Sequence, residues 1–150
     1  MIPHPKILKE VKDDNWTVVF LHRDPKDIIV SMKYHNNERE VICSPYCGWE
    51  KSDYDRSDGI LWLIENTKPW YDHMMEWTEH ATHVIEYEQL INMPHPNIFK
   101  VTDALGLDRA SVMKHTKDKV GRYRTGKSGN WKTEFKEHHI EAYERIWGNV

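Results

Sequence analysis

Cysteine is nearly missing from this chain: Cys43 and Cys47 are the only two in 150 residues. A disulfide framework is therefore excluded, and a reducing compartment suits the sequence better than a secreted one. Their Cys-x-x-x-Cys spacing is not a redox motif. No apolar run approaches the ~20 residues that span a bilayer. The N-terminus, with Pro3, His4 and Pro5, lacks the apolar core of a signal peptide. These absences lead us to expect a cytoplasmic location and no membrane partner. Ten histidines are present, yet none forms His-Glu-x-x-His, and the cysteines have no second ligand pair at zinc-site spacing, so no metal is expected. Internal repeats and low-complexity segments are also missing.

What is present suits one compact core. Hydrophobic residues make up 39% and aromatics 11% of the chain, enough for a single domain over residues 1–150 and too little for two. The net charge of −3 is unevenly spread, because Lys114 to Lys136 holds eight Lys/Arg against two acids, Asp118 and Glu134. A charge run is usually a solvated face. A nucleic-acid surface is disfavoured, since few aromatics such as Tyr123 and Trp131 interleave the basic residues and the rest of the chain is acidic. A small polyanion is the more economical partner, and no nucleic acid is expected.

Hydrophobic patterning alternates strand and helix. Thr17 to Leu21 is a β-branched and aromatic run, the pattern of a strand covered on both faces. Asp24 then caps a helix with Pro25 at its first position, where a missing N–H costs nothing, and the pattern continues through Ile28, Ile29 and Met32 before fading near Tyr34 to Asn37. A strand feeding a helix so directly is half of a βαβ unit, so the expected class is α/β with a parallel sheet. Asn36 to Asp58 is polar and reads as a long loop. Ile60 to Ile64 and then Trp70, Tyr71, Met74 and Trp77 predict two helices broken around Thr67-Lys68-Pro69, with His73 a core-edge residue. Thr82 to Tyr87 alternates as a second strand. Ile98, Val101 and Leu105 mark a helix closed by Gly106, and Asp108 caps a short helix through Met113. Thr116 to Asn130 reads as an extended loop. Ile140, Tyr143 and Trp147 build a final amphipathic helix.

Two segments carry chemistry. Arg124-Thr125-Gly126-Lys127-Ser128-Gly129-Asn130-Trp131-Lys132 is a basic, glycine-containing run that can wrap an anion, and Gly126 should be intolerant of bulk if its backbone approaches a phosphate closely. Val18 to Ser31 places Arg23, the backbone N–H groups of a strand-to-helix turn and, two helical turns on, the hydroxyl of Ser31 where they could meet one. Together they predict a phosphate site.

The pair resembles the cytosolic-type sulfotransferases, which hold the 3′-phosphate of 3′-phosphoadenosine 5′-phosphosulfate between an Arg-(Asp/Asn)-Pro-x-Asp-x-x-x-Ser motif and an Arg-Lys-Gly-x-x-Gly-Asp-Trp-Lys motif. The first matches at Arg23, Asp24, Pro25, Asp27 and Ser31. The second matches at Arg124, Gly126, Gly129, Trp131 and Lys132, with Thr125 in place of Lys and Asn130 in place of Asp. Trp70 to Trp77 looks like the family's Trp-x-x-His helix and Val84 to Leu90 like its Tyr-Glu-Asp-Leu strand end. The resemblance implies a P-loop-NTPase-like parallel sheet flanked by helices and a donor site formed by Arg23, Ser31, Tyr87, Thr116, Arg124, Thr125 and Gly126. Tyr87 would approach the adenine, and Lys114-His115-Thr116 would close over the nucleotide. The implied reaction moves a sulfuryl group from 3′-phosphoadenosine 5′-phosphosulfate to a small-molecule hydroxyl or amine acceptor, without a metal.

Departures from the family pattern sharpen these expectations. The family's N-terminal Tyr-Pro-Lys-Ser-Gly-Thr-Thr loop, which cradles the 5′-phosphosulfate, has no counterpart here, so the sequence reads as an N-terminally truncated form. The family's histidine base would fall near Met1, where His4 is the only nearby candidate. A non-catalytic nucleotide-binding or interaction module is the rival reading. The family's dimer segment, Lys-x-x-x-Thr-Val-x-x-x-Glu, keeps Lys132 and Glu141 but carries Lys136-Glu137 at its centre, and two charges in a compact interface predict a monomer.

Overall fold

The computed structural model describes residues 16–37, 54–55, 58–92, 94–110 and 127–148. Contacts divide the chain into two compact units, one drawing on Asp24–Glu76 and Gly129–Val150, the other on His4–Arg23 and Trp77–Ser128.

The first unit is helical. Helix α1 (Pro25–Asn37) starts as expected: the Asp24 carboxylate accepts from the Lys26 N–H at 2.8 Å and the Asp24 carbonyl from the Ile28 N–H at 3.0 Å. Helix α2 (Gly59–Met75) is capped by Asp58, whose Oδ1 accepts from the Ile60 and Leu61 N–H groups. The short α5 (Trp131–Glu134) and the longer α6 (Glu137–Trp147) complete it. Ile29 and Val30 of α1, Ile60, Leu63, Ile64 and Tyr71 of α2 and Tyr143 and Trp147 of α6 form the core. The Trp147 ring stacks on Tyr143 at 5.2 Å with 12° between planes, and its indole N–H donates to the Ile64 carbonyl at 2.9 Å. Each ring thus buries a large apolar area while the indole nitrogen keeps a partner.

The break expected around Thr67-Lys68-Pro69 does not occur, since Pro69 lies inside one continuous helix. Proline removes the N–H that would reach the Glu65 carbonyl, but Glu65 and Pro69 both lie on the exposed side, where water can replace the lost donor. The opposite face, Ile60, Leu63, Ile64, Thr67 and Tyr71, is buried along its whole length. Core packing on that face outweighs the local preference to stop. Thr67 is also satisfied within the helix, donating to the Leu63 carbonyl at 2.6 Å.

The second unit holds the sheet. Strands β1 (Val19–His22) and β2 (His83–Glu86) pair in parallel, with Val19 opposite His83 and His22 opposite Glu86. The Thr82 and His83 N–H groups both donate to the Val18 carbonyl, at 2.9 and 3.1 Å, and the Val18 N–H donates to Thr82 Oγ1 at 3.1 Å. A 3₁₀ helix (Glu76–His80) leads into β2, and α3 (Tyr87–Asn92) and α4 (Pro94–Ala104) follow it. Asn97 of α4 donates to the Gln89 carbonyl of α3 at 3.2 Å. Gly106, at φ +63°, ends α4 as expected, with its N–H on the Asp103 carbonyl and the Leu107 N–H on the Thr102 carbonyl.

The strand read as covered on both faces is not. Val19 is 43% exposed, Leu21 48% and Val84 52%, so the faces on which these side chains stand are not closed over; among the described residues each strand also has one strand neighbour. Both strands are also shorter than expected, and Tyr87 opens a helix instead of closing β2. Asp108 and the start of its expected helix are described, but the remainder to Met113 lies outside the described residues, as does most of the polar stretch between Asn36 and Asp58. No helix among the described residues is long and apolar enough to cross a membrane.

Candidate nucleotide-binding site

In the second unit two of the expected residues, Arg23 and Tyr87, lie at the carboxyl ends of the two parallel strands, the place where open α/β sheets bind ligands. Arg23 follows β1 directly and Tyr87 follows β2 directly, so the parallel register of His22 with Glu86 makes them neighbours. The Arg23 guanidinium lies 4.4 Å from the centre of the Tyr87 ring, a cation–π arrangement that fixes the plane of the guanidinium. Its Nη2 also donates to the Lys127 carbonyl at 3.3 Å. Ser128 Oγ donates to Glu88 Oε1 at 3.4 Å. Arginine from the first motif and backbone from the second therefore meet beside Tyr87. A guanidinium so held presents a planar fork of donors, which suits a phosphate better than a mobile ammonium does.

In the first unit a different pair of motif residues meets. Asp27, in the first turn of α1 and only 1% exposed, accepts from the Gly129 N–H at 2.6 Å and from the Trp131 N–H at 3.2 Å. Such charge-assisted bonds contribute about 1.5–3 kcal/mol each. Gly129 sits at φ +79°, a conformation that side chains with a Cβ rarely adopt. The Lys26 ammonium lies 4.3 Å from the Tyr143 ring centre and 5.3 Å from that of Trp131. Farther along α1, Lys33 Nζ donates to Glu134 Oε2 at 3.1 Å and Tyr34 OH to Glu134 Oε1. Ser31 is exposed on α1, one helical turn beyond Asp27. Nothing in the motif pattern assigned Asp27 a partner; the one signal was an acid at a fixed offset from Arg23.

His4, Thr116, Arg124, Thr125 and Gly126, all expected in the site, lie outside the described residues. His73, expected at a core edge, pairs at the surface with Glu76, 3.1 Å from Nδ1 to Oε2.

Among the described residues, Asp58, His138 and His139 form a group whose ligand atoms lie close enough for a metal ion. Asp58 Oδ2 is 2.9 Å from His139 Nε2 and 3.3 Å from His138 Nε2. The chemistry of His139 argues against ligation. Its Nδ1 accepts the Lys136 N–H at 3.0 Å, which leaves the ring proton on Nε2, directed at Asp58. A metal-bound imidazole has the reverse arrangement, with a bare ligating nitrogen and a proton donated from the other. The trio instead ties the start of α6 to the cap of α2. Burial raises the Asp58 pKa, but the hydrogen bonds from His139 and His138 together outweigh it and bring the carboxyl down to about 2.

Comparison with known proteins gives the lineage. No curated protein matches the chain significantly. The mouse sulfotransferase SULT7A1, in a crystal structure complexed with PAP, shares its fold with a TM-score of 0.64 at 18% identity, covering 91% of this chain and 58% of that one. The chain thus spans less than two thirds of that neighbour's length. A family model described as "Sulfotransferase domain" matches residues 2–149. With nearly every residue inside that match, the chain belongs to the sulfotransferase family.

Proposed function

We propose that this protein binds the 3′-phosphoadenosine group of 3′-phosphoadenosine 5′-phosphosulfate and transfers its sulfuryl group to a small-molecule hydroxyl or amine acceptor. The observation that carries the reading is Arg23, held over Tyr87 and against the Lys127 carbonyl at the ends of β1 and β2. Family membership and a neighbour described as complexed with PAP support it. In this reading Arg23, Ser31 and Arg124 bind the 3′-phosphate, Thr125 and Gly126 line it with backbone, and Tyr87 and Thr116 flank the nucleoside. The acceptor atom attacks sulfur as the bond from sulfur to the 5′-phosphate oxygen breaks. The acceptor proton passes to a base, for which His4 is the candidate. The products are the sulfated acceptor and adenosine 3′,5′-bisphosphate. No metal takes part. Lys136 and Glu137 are both exposed, which supports a protein that works as a monomer.

Titration calorimetry tests the binding half directly. Adenosine 3′,5′-bisphosphate should bind, AMP should bind at least tenfold more weakly, and Arg23→Ala should erase that difference. Equal affinity for the two nucleotides, or unchanged affinity in Arg23→Ala, would sink the assignment. A labelled-donor assay over phenols, alcohols and amines, with His4→Ala as its control, tests the transfer half.

A further inference from the structure

Arginine brings a flexible stem to a task that needs a fixed head, because a guanidinium that swings loses the planar fork on which bidentate phosphate binding depends. Arg23 stands just past His22, the last residue of β1 paired in the sheet. The backbone there sets where the side chain starts and not where its charge ends. Contacts within the second unit do that. The Tyr87 ring centre lies 4.4 Å from the guanidinium carbon, and the Lys127 carbonyl accepts from Nη2 at 3.3 Å. A carbonyl fixes one N–H direction, whereas a ring face fixes the plane of the whole fork. Tyr87 is itself well placed for this, since it follows Glu86, the partner of His22 in the parallel register, and opens α3. The carboxylates on either side of it accept from other side chains: Glu86 Oε2 from Gln89 Nε2 at 2.8 Å and Glu88 Oε1 from Ser128 Oγ at 3.4 Å. A carboxylate under the guanidinium would orient it and also neutralise it. An uncharged ring orients the cation and leaves its charge for an incoming anion.

We infer that Tyr87 is a positioning residue for Arg23: by holding the guanidinium plane at the end of β1 it sets how strongly the protein prefers a nucleotide that bears a 3′-phosphate, apart from any contact the ring makes with the nucleoside. This rests on the nucleotide-binding reading above. The ring face turned to Arg23 is taken, so a base meets Tyr87 by the opposite face, an edge or the hydroxyl. The positioning role needs the ring and not the hydroxyl.

The test measures adenosine 3′,5′-bisphosphate and AMP by titration calorimetry on the full chain and reads the ratio of the two affinities, in which a lost nucleoside contact cancels. Tyr87→Phe keeps the ring and should hold the ratio within twofold of the parent's. Tyr87→Leu and Tyr87→Gln remove the ring by an apolar and a polar route, so that one serves if the other does not fold, and each should lower the ratio at least fivefold. Nitrogen relaxation of the Arg23 Nε–H, read by NMR without nucleotide, should show an ordered guanidinium in the parent and in Tyr87→Phe and a mobile one in the other two. If loss of the ring weakens both nucleotides equally, Tyr87 serves the nucleoside alone and the inference fails. If the ratio falls while the guanidinium stays ordered, the ring does not act through Arg23, and the inference fails again. If the parent itself shows no preference between the two nucleotides, the nucleotide reading has failed and takes this inference with it, a result recognisable because the order of the Arg23 head group would still respond to Tyr87.

Discussion

At the scale of single residues, the most consequential side chains accept hydrogen bonds from backbone or from neighbouring rings. Asp58 does both, capping α2 with one oxygen and meeting His138 and His139 with the other. Its folded pKa of about 2 lies below the ordinary carboxylate value of about 3.9. Its stabilising contribution is therefore complete above about pH 4 and lost as pH falls toward 2, because protonation favours the unfolded chain. Thermal melts between pH 5 and 2 should show a steeper acid decline for the parent than for Asp58→Asn, which keeps a good cap but has no charge to titrate. Parallel declines would mean that the histidine contacts contribute nothing. Arg23 and Tyr87 were singled out by their chemistry and lie together in the structure, whereas Thr116 and Arg124 to Gly126 lie outside the described residues. The contacts of Asp27 were not legible, since only folding reveals that its acceptors face N–H groups from Gly129 and Trp131.

Elements were legible where local chemistry and tertiary packing agree. The start of α1 at Asp24-Pro25 and the end of α4 at Gly106 occur where capping rules place them. They disagree at Pro69, and there the buried face of α2 decides. Pro69→Ala should consequently stabilise the protein by about 1–3 kcal/mol, since an interior proline costs about 3 kcal/mol relative to alanine and the restored N–H can reach the Glu65 carbonyl. Urea unfolding would check it, and a variant no more stable than the parent would show that the helix had already absorbed the cost. Strand limits were harder to read than helix limits. The register of β1 on β2 depends on a partner more than sixty residues away, and no window of local sequence contains that information. The short α5 was missed for a similar reason: Asn130 makes no side-chain cap there, and the turn before it is held by Asp27.

At the scale of the whole molecule, the chain closes on itself between distant segments. The sulfotransferase fold was legible from two motifs and their order, while the open faces of β1 and β2 were not, because periodicity reports what a strand could bury and not what stands beside it. Val18 and Thr82 are bonded across 64 positions, and the parallel pairing they begin is what sets Arg23 next to Tyr87. Loop closure of this length is entropically costly before any contact rewards it, and distant parallel pairing is slow. Helices α1, α2 and α6 have no comparable delay in forming their own hydrogen bonds. Refolding from urea should therefore recover far-UV helical signal first and nucleotide binding later, measured by stopped-flow dichroism beside capture of a fluorescent adenosine bisphosphate. Simultaneous recovery would contradict this order. During synthesis the same closure imposes a waiting time: Arg23 is made 64 residues before Tyr87, so through that interval the nascent chain carries the first motif with nothing yet to set it against.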